Sequence, residues 1–404
     1  MFIPTHQQRD AIYKLTEWWE KKDRQIFEIA GYAGTGKTHA ASNFIEEIGL
    51  EEDEVKYAAF TGKAALVLQR KGVNATTIHK LIYDIEYYNE FVLDKDGNKV
   101  KNSNGKFKTI QKFRFVKRTK LDEKIKLIIL DECSMINQSM WDDIRSYDIP
   151  IIVLGDTQQL PPIIGEPVLL KNPDVELTQI VRQQSKSYLI DIATEAREGK
   201  YITVPDNRKY KNSNDVWIIY EDEVTDKILM GVDIILCGTN KKREAINNHI
   251  RYNILGRESK LPEKGDKLIC RKNNWNLLIG DDIPLINGMS GIVLNNIEKE
   301  SMTNKSIVID FKPDFLDEYY HNIEVDRVVF ESTDKKEVRN AMKYGNTNKF
   351  EFGYAITTHL SQGSEWDKVL IFEEWMGDKD YMSKWLYTAI TRAKKKVIIV
   401  KKRH

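Results

Sequence analysis

The sequence predicts an α/β protein built on parallel sheets with helices on both faces. Short apolar runs ending in polar residues, "IFEIA", "VKYAAFTG", "IKLIILDE", "IPIIVLGD", "VDIILCGTN", "KVLIFEE" and "KKVIIVKK", alternate with helical stretches. Continuous apolar strands of this kind are covered on both faces, and ligands bind beyond their carboxyl ends, where each run places its polar residues. Length adds a second constraint: 404 residues exceed one ordinary domain of roughly 150 residues, so two or three compact units are expected. The stretch "GYAGTGKTHA" (31–40) is a third, because a phosphate-binding loop needs a strand before it and a helix after it.

The elements follow in chain order. Residues 7–22 place Ile12, Leu15 and Trp19 on one face at helical spacing, so an amphipathic helix precedes the first strand. Residues 82–120 carry Asp-Gly and Asn-Gly pairs between alternating residues, which read as one or two inserted β-hairpins. From 258 to 349 short strands such as "DKLIC", "SGIVL" and "SIVIDF" indicate a small β-rich domain. The expected division is a first lobe of 1–81 and 121–170, a hairpin of 82–120, a second lobe of 171–257 and 350–404, and the β domain of 258–349.

Composition excludes several classes. No apolar run approaches the roughly 18 residues of a membrane span, and "MFIPTHQQRD" lacks a signal pattern; a cytoplasmic protein with no membrane partner is expected. Cys133, Cys237 and Cys270 are too few for a disulfide framework, and the seven histidines show no zinc-ligand spacing. A net charge of +1 moves attention to local charge.

Gly31, four residues, then Gly36-Lys37-Thr38 form the loop. Its backbone N–H groups close on phosphate oxygens, Lys37 reaches the outer phosphates and Thr38 offers a hydroxyl to Mg²⁺. Nucleotide contacts are expected at Gly34, Thr35, Gly36, Lys37, Thr38 and His39. In "LIILDECS", Asp131 can hold Mg²⁺ through water while Glu132 deprotonates the water attacking the γ-phosphate. Gln158, behind Asp156 in "VLGDTQQLPPI", sits where a γ-phosphate sensor would. Arg182 and Arg392 compete as charge stabilisers, and either needs a second lobe facing the first. An isolated arginine would otherwise read as a surface ion pair.

Asn98 to Lys120 holds nine Lys or Arg and no acid, with Phe107, Phe113 and Phe115 interleaved. Lysines tracking phosphates and phenylalanines stacking on bases would make this hairpin a single-strand contact and a pin that parts a duplex. A solvated edge ribbon whose lysines block aggregation is the plainer alternative. Among the tryptophans, Trp18 and Trp19 read as helix packing, Trp217, Trp375 and Trp385 as core, and Trp275 and Trp366 as the two to test for DNA contact.

In order, "PTHQQ", "GYAGTGKT", "AFTGKAALVL", "ATTIHKL", "DECS", "GDTQQLPPI", "LTQIVRQ", "YAITTHLSQGSEW" and "YTAITRA" resemble the motifs of superfamily 1 helicases of the RecD and Dda type. That resemblance covers nearly the whole chain. It implies two RecA-like P-loop lobes, ATP and Mg²⁺ as cofactors, and 5′ to 3′ movement on single-stranded DNA, with forked duplex DNA as the substrate unwound. It implies that Gln8 reads adenine, that Gln158 couples hydrolysis to motion, and that Arg182 and Arg392 contact the γ-phosphate. Gly363 and Glu365 would lie close to the nucleotide, and Thr61, Gly62, Lys63, His79, Asn240, Thr358 and His359 are candidate strand contacts. "GDKLICRKNNWNLLIGDDIPLINGMSGIV" resembles an inserted SH3-like barrel. Leu360 departs from the family, which carries lysine after the fifth-motif histidine. A compact, Dda-like monomer is expected, with replication or recombination proteins as further partners.

Two other readings compete. A nucleotide-switched clamp or translocase subunit of a repair or recombination complex would use the same loop without autonomous unwinding, but Glu132 argues against a pure switch. A small-molecule kinase leaves the second-lobe motifs and the basic hairpin unexplained.

Overall fold

The structure, a computed structural model, describes residues 4–70, 72–91, 98–101, 104–161, 168–181, 187–200, 202, 213–279, 283–297, 302–303, 305–314, 316–343 and 347–403, without the side chains of 110–113. The chain divides into two compact units: Met1–Ile78, Asp122–Glu258 and Phe352–His404 form one, and His79–Leu121 with Ser259–Glu351 the other.

Two parallel sheets build the first unit. The chain enters through the helix His6–Lys21, capped by a reciprocal pair in which the Thr5 side chain accepts from the Gln8 amide and the Gln8 side chain from the Thr5 amide. Ala11, Ile12, Leu15 and Trp18 are its buried face. Trp18 lies 5.6 Å from Phe27 and takes the inward position expected of Trp19, which rests on the edge of Phe44 instead. Strands β1 (Ile26–Gly31), β2 (Val55–Ala59) and β3 (Ala75–Thr77) precede an excursion into the second unit through β4 (Tyr83–Phe91) and β5 (Thr109–Lys117); β6 (Leu127–Asp131), β7 (Ile151–Gly155) and β8 (Val175–Leu177) follow. The sheet order is β3-β2-β6-β7-β1-β8, and every ladder in it is parallel. Strand β8 pairs with β1 from Ile29↔Val175 to Gly31↔Leu177, so the first sheet extends beyond the boundary at 170 drawn from the sequence. Three residues are too few for an apolar pattern to show.

Leu127, Ile128, Ile129 and Leu130 are all fully buried, as are Ile151 to Leu154. Burying each such side chain is worth about 1.5–3 kcal/mol. Parallel pairing brings the carboxyl ends of these strands to one edge, with Asp131 opposite Ala59 and Gly155 opposite Ala30.

The second sheet uses β9 (Val216–Tyr220), β10 (Ile234–Cys237), β18 (Ala355–Thr357), β19 (Trp366–Phe372) and β20 (Ala393–Lys401), ordered β18-β10-β19-β20-β9. It too is parallel throughout. The helix Lys379–Ile390 runs back towards Arg392 and buries Trp385 completely. Trp217 and Trp375 are not core: they are 41% and 68% exposed. A Lys396 ammonium covers the Trp217 ring at 3.0 Å, and Trp375 lies in the turn after β19. Among the described residues no helix is long and apolar enough to cross a membrane.

In the second unit β4 and β5 form an antiparallel ladder from Tyr83↔Lys117 to Phe91↔Thr109. A bridge of Lys101 with Phe107 adds a second, smaller hairpin. The remaining strands are β11 (Lys267–Cys270), β12 (Asn274–Ile279), β13 (Ile283–Leu285), β14 (Ser290–Val293), β15 (Ser306–Pro313), β16 (Tyr320–Asp326) and β17 (Phe350–Phe352). They give a five-stranded sheet, β16-β15-β14-β11-β17, and a β12-β13 pair. Fully buried Ile307, Ile309, Phe311 and Phe350 fill the core, with the Phe311 and Phe350 rings 4.9 Å apart and edge-on. Two helices, Val328–Glu331 and Lys335–Lys343, lie in a segment whose sequence showed little helical pattern.

Lys349 is fully buried there, and its Nζ donates to Asp326 Oδ2 at 2.5 Å and to Thr347 Oγ1 at 2.9 Å. A buried ammonium stripped of its carboxylate is costly. Asp326→Ala is therefore expected to destabilise this unit by about 3–5 kcal/mol, and the double change Asp326→Leu with Lys349→Met by much less, as read by urea denaturation.

Candidate active site

Strand β1 ends at Gly31, where a side chain could not fit. A Cβ there would lie 2.8 Å from Thr35 Oγ1 and 2.9 Å from the Leu177 carbonyl oxygen. The loop then turns through Gly34 and Gly36, both with positive φ, and a Cβ on Gly36 would lie 2.3 Å from Gln8 Nε2. Gly36 caps the helix Lys37–Ile48 without a side-chain bond, so first-turn amides face the loop. Such a helix start attracts anions. Lys37 Nζ lies along the inside of the loop, donating to the carbonyls of Gly31 at 2.7 Å and Tyr32 at 3.2 Å.

Next to the loop, Thr38 Oγ1 donates to Asp131 Oδ2 at 3.2 Å, while Asp131 Oδ1 accepts the Glu132 amide at 2.8 Å. Glu132 has φ 54°, a left-handed backbone that costs a non-glycine residue of order 1–3 kcal/mol and clusters at functional sites. The protein around it pushes its carboxyl above the usual carboxylate range by desolvation, opposed foremost by the Arg392 guanidinium and also by Lys37. Asp131 and Asp156 add to the upward shift.

The 156–160 turn is held from the second sheet's helix. Asp156 is buried, and its Oδ2 accepts from the Tyr387 hydroxyl at 2.7 Å while its Oδ1 accepts the Gln158 amide at 3.0 Å. The same Tyr387 oxygen accepts the Ala33 amide at 3.0 Å. Thr388 Oγ1 accepts the Leu160 amide, and Gln362 Nε2 donates to the Leu160 carbonyl. Arg392, 3% exposed, is fixed by donating to the carbonyls of Thr388 and Ser364 and to Thr391 Oγ1.

The structure thus brings Lys37, Thr38, Asp131, Glu132, Gln158 and Arg392 into one region. Arg182 lies outside the described residues, but Val181 donates its amide to the Gly34 carbonyl. Gln8 is 1% exposed, and its amide is spent on the helix cap and on the Thr35 carbonyl at 3.0 Å. It props the loop here, and reading adenine would require both bonds to break. His39 is exposed on the helix behind the loop, and Glu365 is exposed too.

The strand-gripping candidates divide. Gly62 opens the helix Gly62–Arg70 and Thr61 accepts the Ala64 amide at its start. Lys63 is 8% exposed, with its ammonium 4.4 Å from the Trp366 ring centroid. That pair removes from the surface both Lys63, a candidate strand contact, and Trp366, one of the two tryptophans singled out for test. Gly363, with positive φ, fits against Thr61, whose Oγ1 would lie 2.8 Å from a Cβ. Thr358 is fully buried with its hydroxyl on the Cys237 carbonyl, so it too offers no surface contact. His359 Nε2 lies 3.2 Å from Tyr381 Oη, and burial lowers the pKa of its imidazole. Asn240 is exposed at the start of the helix Asn240–Asn248.

In the second unit His79, its pKa also lowered by burial, packs 5.0 Å from Phe115. Phe107 is 46% exposed, edge-on to Phe91, with Lys101 5.3 Å from its centroid. The side chain of Phe113 lies outside the described set; its backbone pairs with Tyr87. The hairpin is less basic than its second strand alone, because β4 sets Glu86 against Arg114 and Asp84 against Arg118.

Tyr387, Thr388 and Gln362 were missed by sequence reasoning, although each stands inside a quoted motif. Thr388 stands in the last turn of the helix that Arg392 follows, four residues before it, a spacing that could have found the first.

Fold and site together define a nucleotide-binding protein with a phosphate loop in one parallel sheet and an arginine supplied by another. Residues 4–216, more than half the chain, match the family model of the AAA domain, and 352–400 match that of the UvrD-like helicase C-terminal domain. The chain belongs to the AAA domain family and carries a UvrD-like helicase C-terminal segment. It is 26% identical over 401 residues to the ATP-dependent RecD2 DNA helicase of Deinococcus radiodurans, covering 92% of this chain and 46% of that one. With the ATP-dependent DNA helicase Pif1 of Campylobacter jejuni it shares 23% over 432 residues, covering 90% and 86%. A Bacteroides Pif1 helicase solved with ADP-AlF3 and single-stranded DNA shares the fold, with a TM-score of 0.53 at 18% identity over 99% of this chain and 92% of that one. The chain spans a third to a half of the length of the first curated relatives it matches.

Because Arg392 is the main charge holding the Glu132 carboxyl down, Arg392→Ala should raise its pKa further. A ¹³C NMR titration of glutamate-labelled protein should show the Glu28 and Glu132 carboxyls above the ordinary range in the wild type, and Glu132, assigned by its loss in Glu132→Gln, higher again in the variant.

Proposed function

We propose that the chain is an ATP-dependent DNA helicase or translocase that moves 5′ to 3′ on single-stranded DNA and couples ATP hydrolysis to duplex unwinding. The observation that carries this is that the helix of the second sheet bonds the phosphate loop and the turn after β7, Tyr387 Oη to the Ala33 amide and Asp156 and Thr388 Oγ1 to the Leu160 amide, and that Arg392 follows on the same segment. A site completed from two lobes ties hydrolysis to their closure, which a motor needs and a single-lobe kinase does not.

With ATP bound, the amides from Gly34 to Thr38 surround the phosphates, and Lys37 exchanges the two loop carbonyls for phosphate oxygens. Thr38 and Asp131 present a hydroxyl and a carboxylate 3.2 Å apart, hard oxygen donors that fit Mg²⁺ when the phosphates complete the shell. The ion would supply charge neutralisation at the phosphates. Glu132 accepts the proton of the attacking water; its raised carboxyl pKa makes it the stronger base. Arg392 stabilises charge on the transferred group, with Arg182 as a second cation, and Gln158 senses the γ-phosphate. Gln8, Gly363 and Glu365 frame the nucleotide.

Single-stranded DNA is proposed to follow the strand ends at Thr61, Gly62, Asn240 and His359 of the first unit; in the second unit, taken by itself, His79, Phe107 and Phe115 of the hairpin are proposed as base-stacking residues. The 82–120 hairpin then serves as a separating pin, and the 258–349 segment as an SH3-like module. Support comes from the RecD2 and Pif1 relatives, which are ATP-dependent DNA helicases. The deciding experiment is strand displacement on tailed duplexes. Unwinding from a 5′ tail is expected, and unwinding only from a 3′ tail, or none, would sink the assignment.

Lys37→Ala should abolish strand-stimulated ATPase. Glu132→Gln should keep nucleotide binding while lowering kcat by about 10²–10⁴, and retained turnover in steady-state assays would remove Glu132 from its role.

A further inference from the structure

We propose that Tyr387 is a positioning residue whose hydroxyl links the phosphate loop to Asp156 and thereby makes hydrolysis depend on contact between the two lobes. This rests on the ATPase proposed above. One oxygen makes both bonds: it accepts the Ala33 amide at 3.0 Å and donates to Asp156 Oδ2 at 2.7 Å. Asp156 in turn holds the Gln158 amide with its other oxygen. The chain of bonds therefore runs from the loop, through a residue of the second lobe, to the backbone of the proposed γ-phosphate sensor.

Geometry favours a link over simple packing. Tyr387 is 2% exposed, and Asp156 4%. A buried carboxylate needs donors, and of the two hydrogen bonds to Asp156 side-chain oxygens one comes from its own turn and one from the second lobe. Thr388, the next residue, takes the Leu160 amide at 2.9 Å, so consecutive residues of one helix hold both ends of the 156–160 turn. Separating the lobes breaks these bonds together and leaves Asp156, Ala33 and Leu160 without those partners. Arg392, just beyond the end of the same helix, withdraws in the same movement. A single rigid element thus delivers the cation and sets the turn behind the sensor. Its tie to the loop is reinforced by Arg197, whose guanidinium lies 3.6 Å from the Tyr32 ring centroid.

Tyr387→Phe keeps the ring and removes the hydroxyl. In steady-state ATPase assays with and without an oligo-dT strand, the stimulated kcat should fall about tenfold. The KM for ATP should change by less than about twofold and the strand-free rate should fall less, so the stimulation ratio drops. Adding Asp156→Asn to Tyr387→Phe should cost little more, because both act on one bond. Thr388→Val, which removes the Leu160 acceptor, should lower the ratio in the same direction and decides the matter if Tyr387→Phe fails to fold. Wild-type stimulation in folded Tyr387→Phe, equal losses with and without strand, or independent losses in the double variant would overturn the link alone. A wild-type chain without strand-stimulated ATPase would instead overturn the functional proposal beneath it.

Discussion

A carboxylate that the protein desolvates needs a cation to stay ionised, and Glu132 finds its strongest one on the far sheet. Arg392 is the largest influence holding the Glu132 carboxyl down, and it is itself immobilised by three hydrogen bonds. Neither group is in a cheap position: one has a left-handed backbone and the other is a buried guanidinium. Such costs persist where the surrounding structure imposes them. Here the imposition comes from two parallel sheets whose carboxyl ends carry the loop, the acid pair and the 156–160 turn.

The parallel sheets explain why so few residues reach the site from so many segments. Each strand end contributes one or two side chains: Gly31 begins the loop, Asp131 closes β6, and Asp156 follows β7. Helix Lys379–Ile390 then crosses with Tyr387 and Thr388 facing that edge and Arg392 just beyond its end. Because Arg392 bonds the backbone of Ser364, the segment containing Gln362 and Gly363 is held by the same group. Gln362 returns that restraint to Leu160 in the first lobe.

Much of this was legible in the sequence, for physical reasons. Lys37, Thr38, Asp131 and Glu132 were readable because a phosphate loop and an acid pair each need a fixed spacing next to an apolar strand. Arg392 was readable only through the order of motifs, since an isolated arginine carries no signal. Tyr387 was hidden, because hydrogen bonds to Ala33 and Asp156 join residues that no local pattern relates. The tryptophans misled in both directions. Trp375 looked like core by type yet is 68% exposed, whereas Trp366, picked as a surface contact, is 8% exposed beneath Lys63. Side-chain type fixes what burial would gain, but the turn after β19 decides what is buried.

Charge shows the same limit in the hairpin. Residues 98–120 read alone are a run of cations, but an antiparallel ladder gives every residue of one strand a partner on the other. Register sets Glu86 opposite Arg114, and Asp84, opposite Val116, reaches diagonally to Arg118 just past the strand end, each pair at about 3 Å. Exposed pairs of this kind add little stability, so their consequence is electrostatic: the charges of Arg114 and Arg118 are offset. Lys99 and Lys101 meet rings instead, their ammonium groups 3.9 and 5.3 Å from the Phe91 and Phe107 centroids.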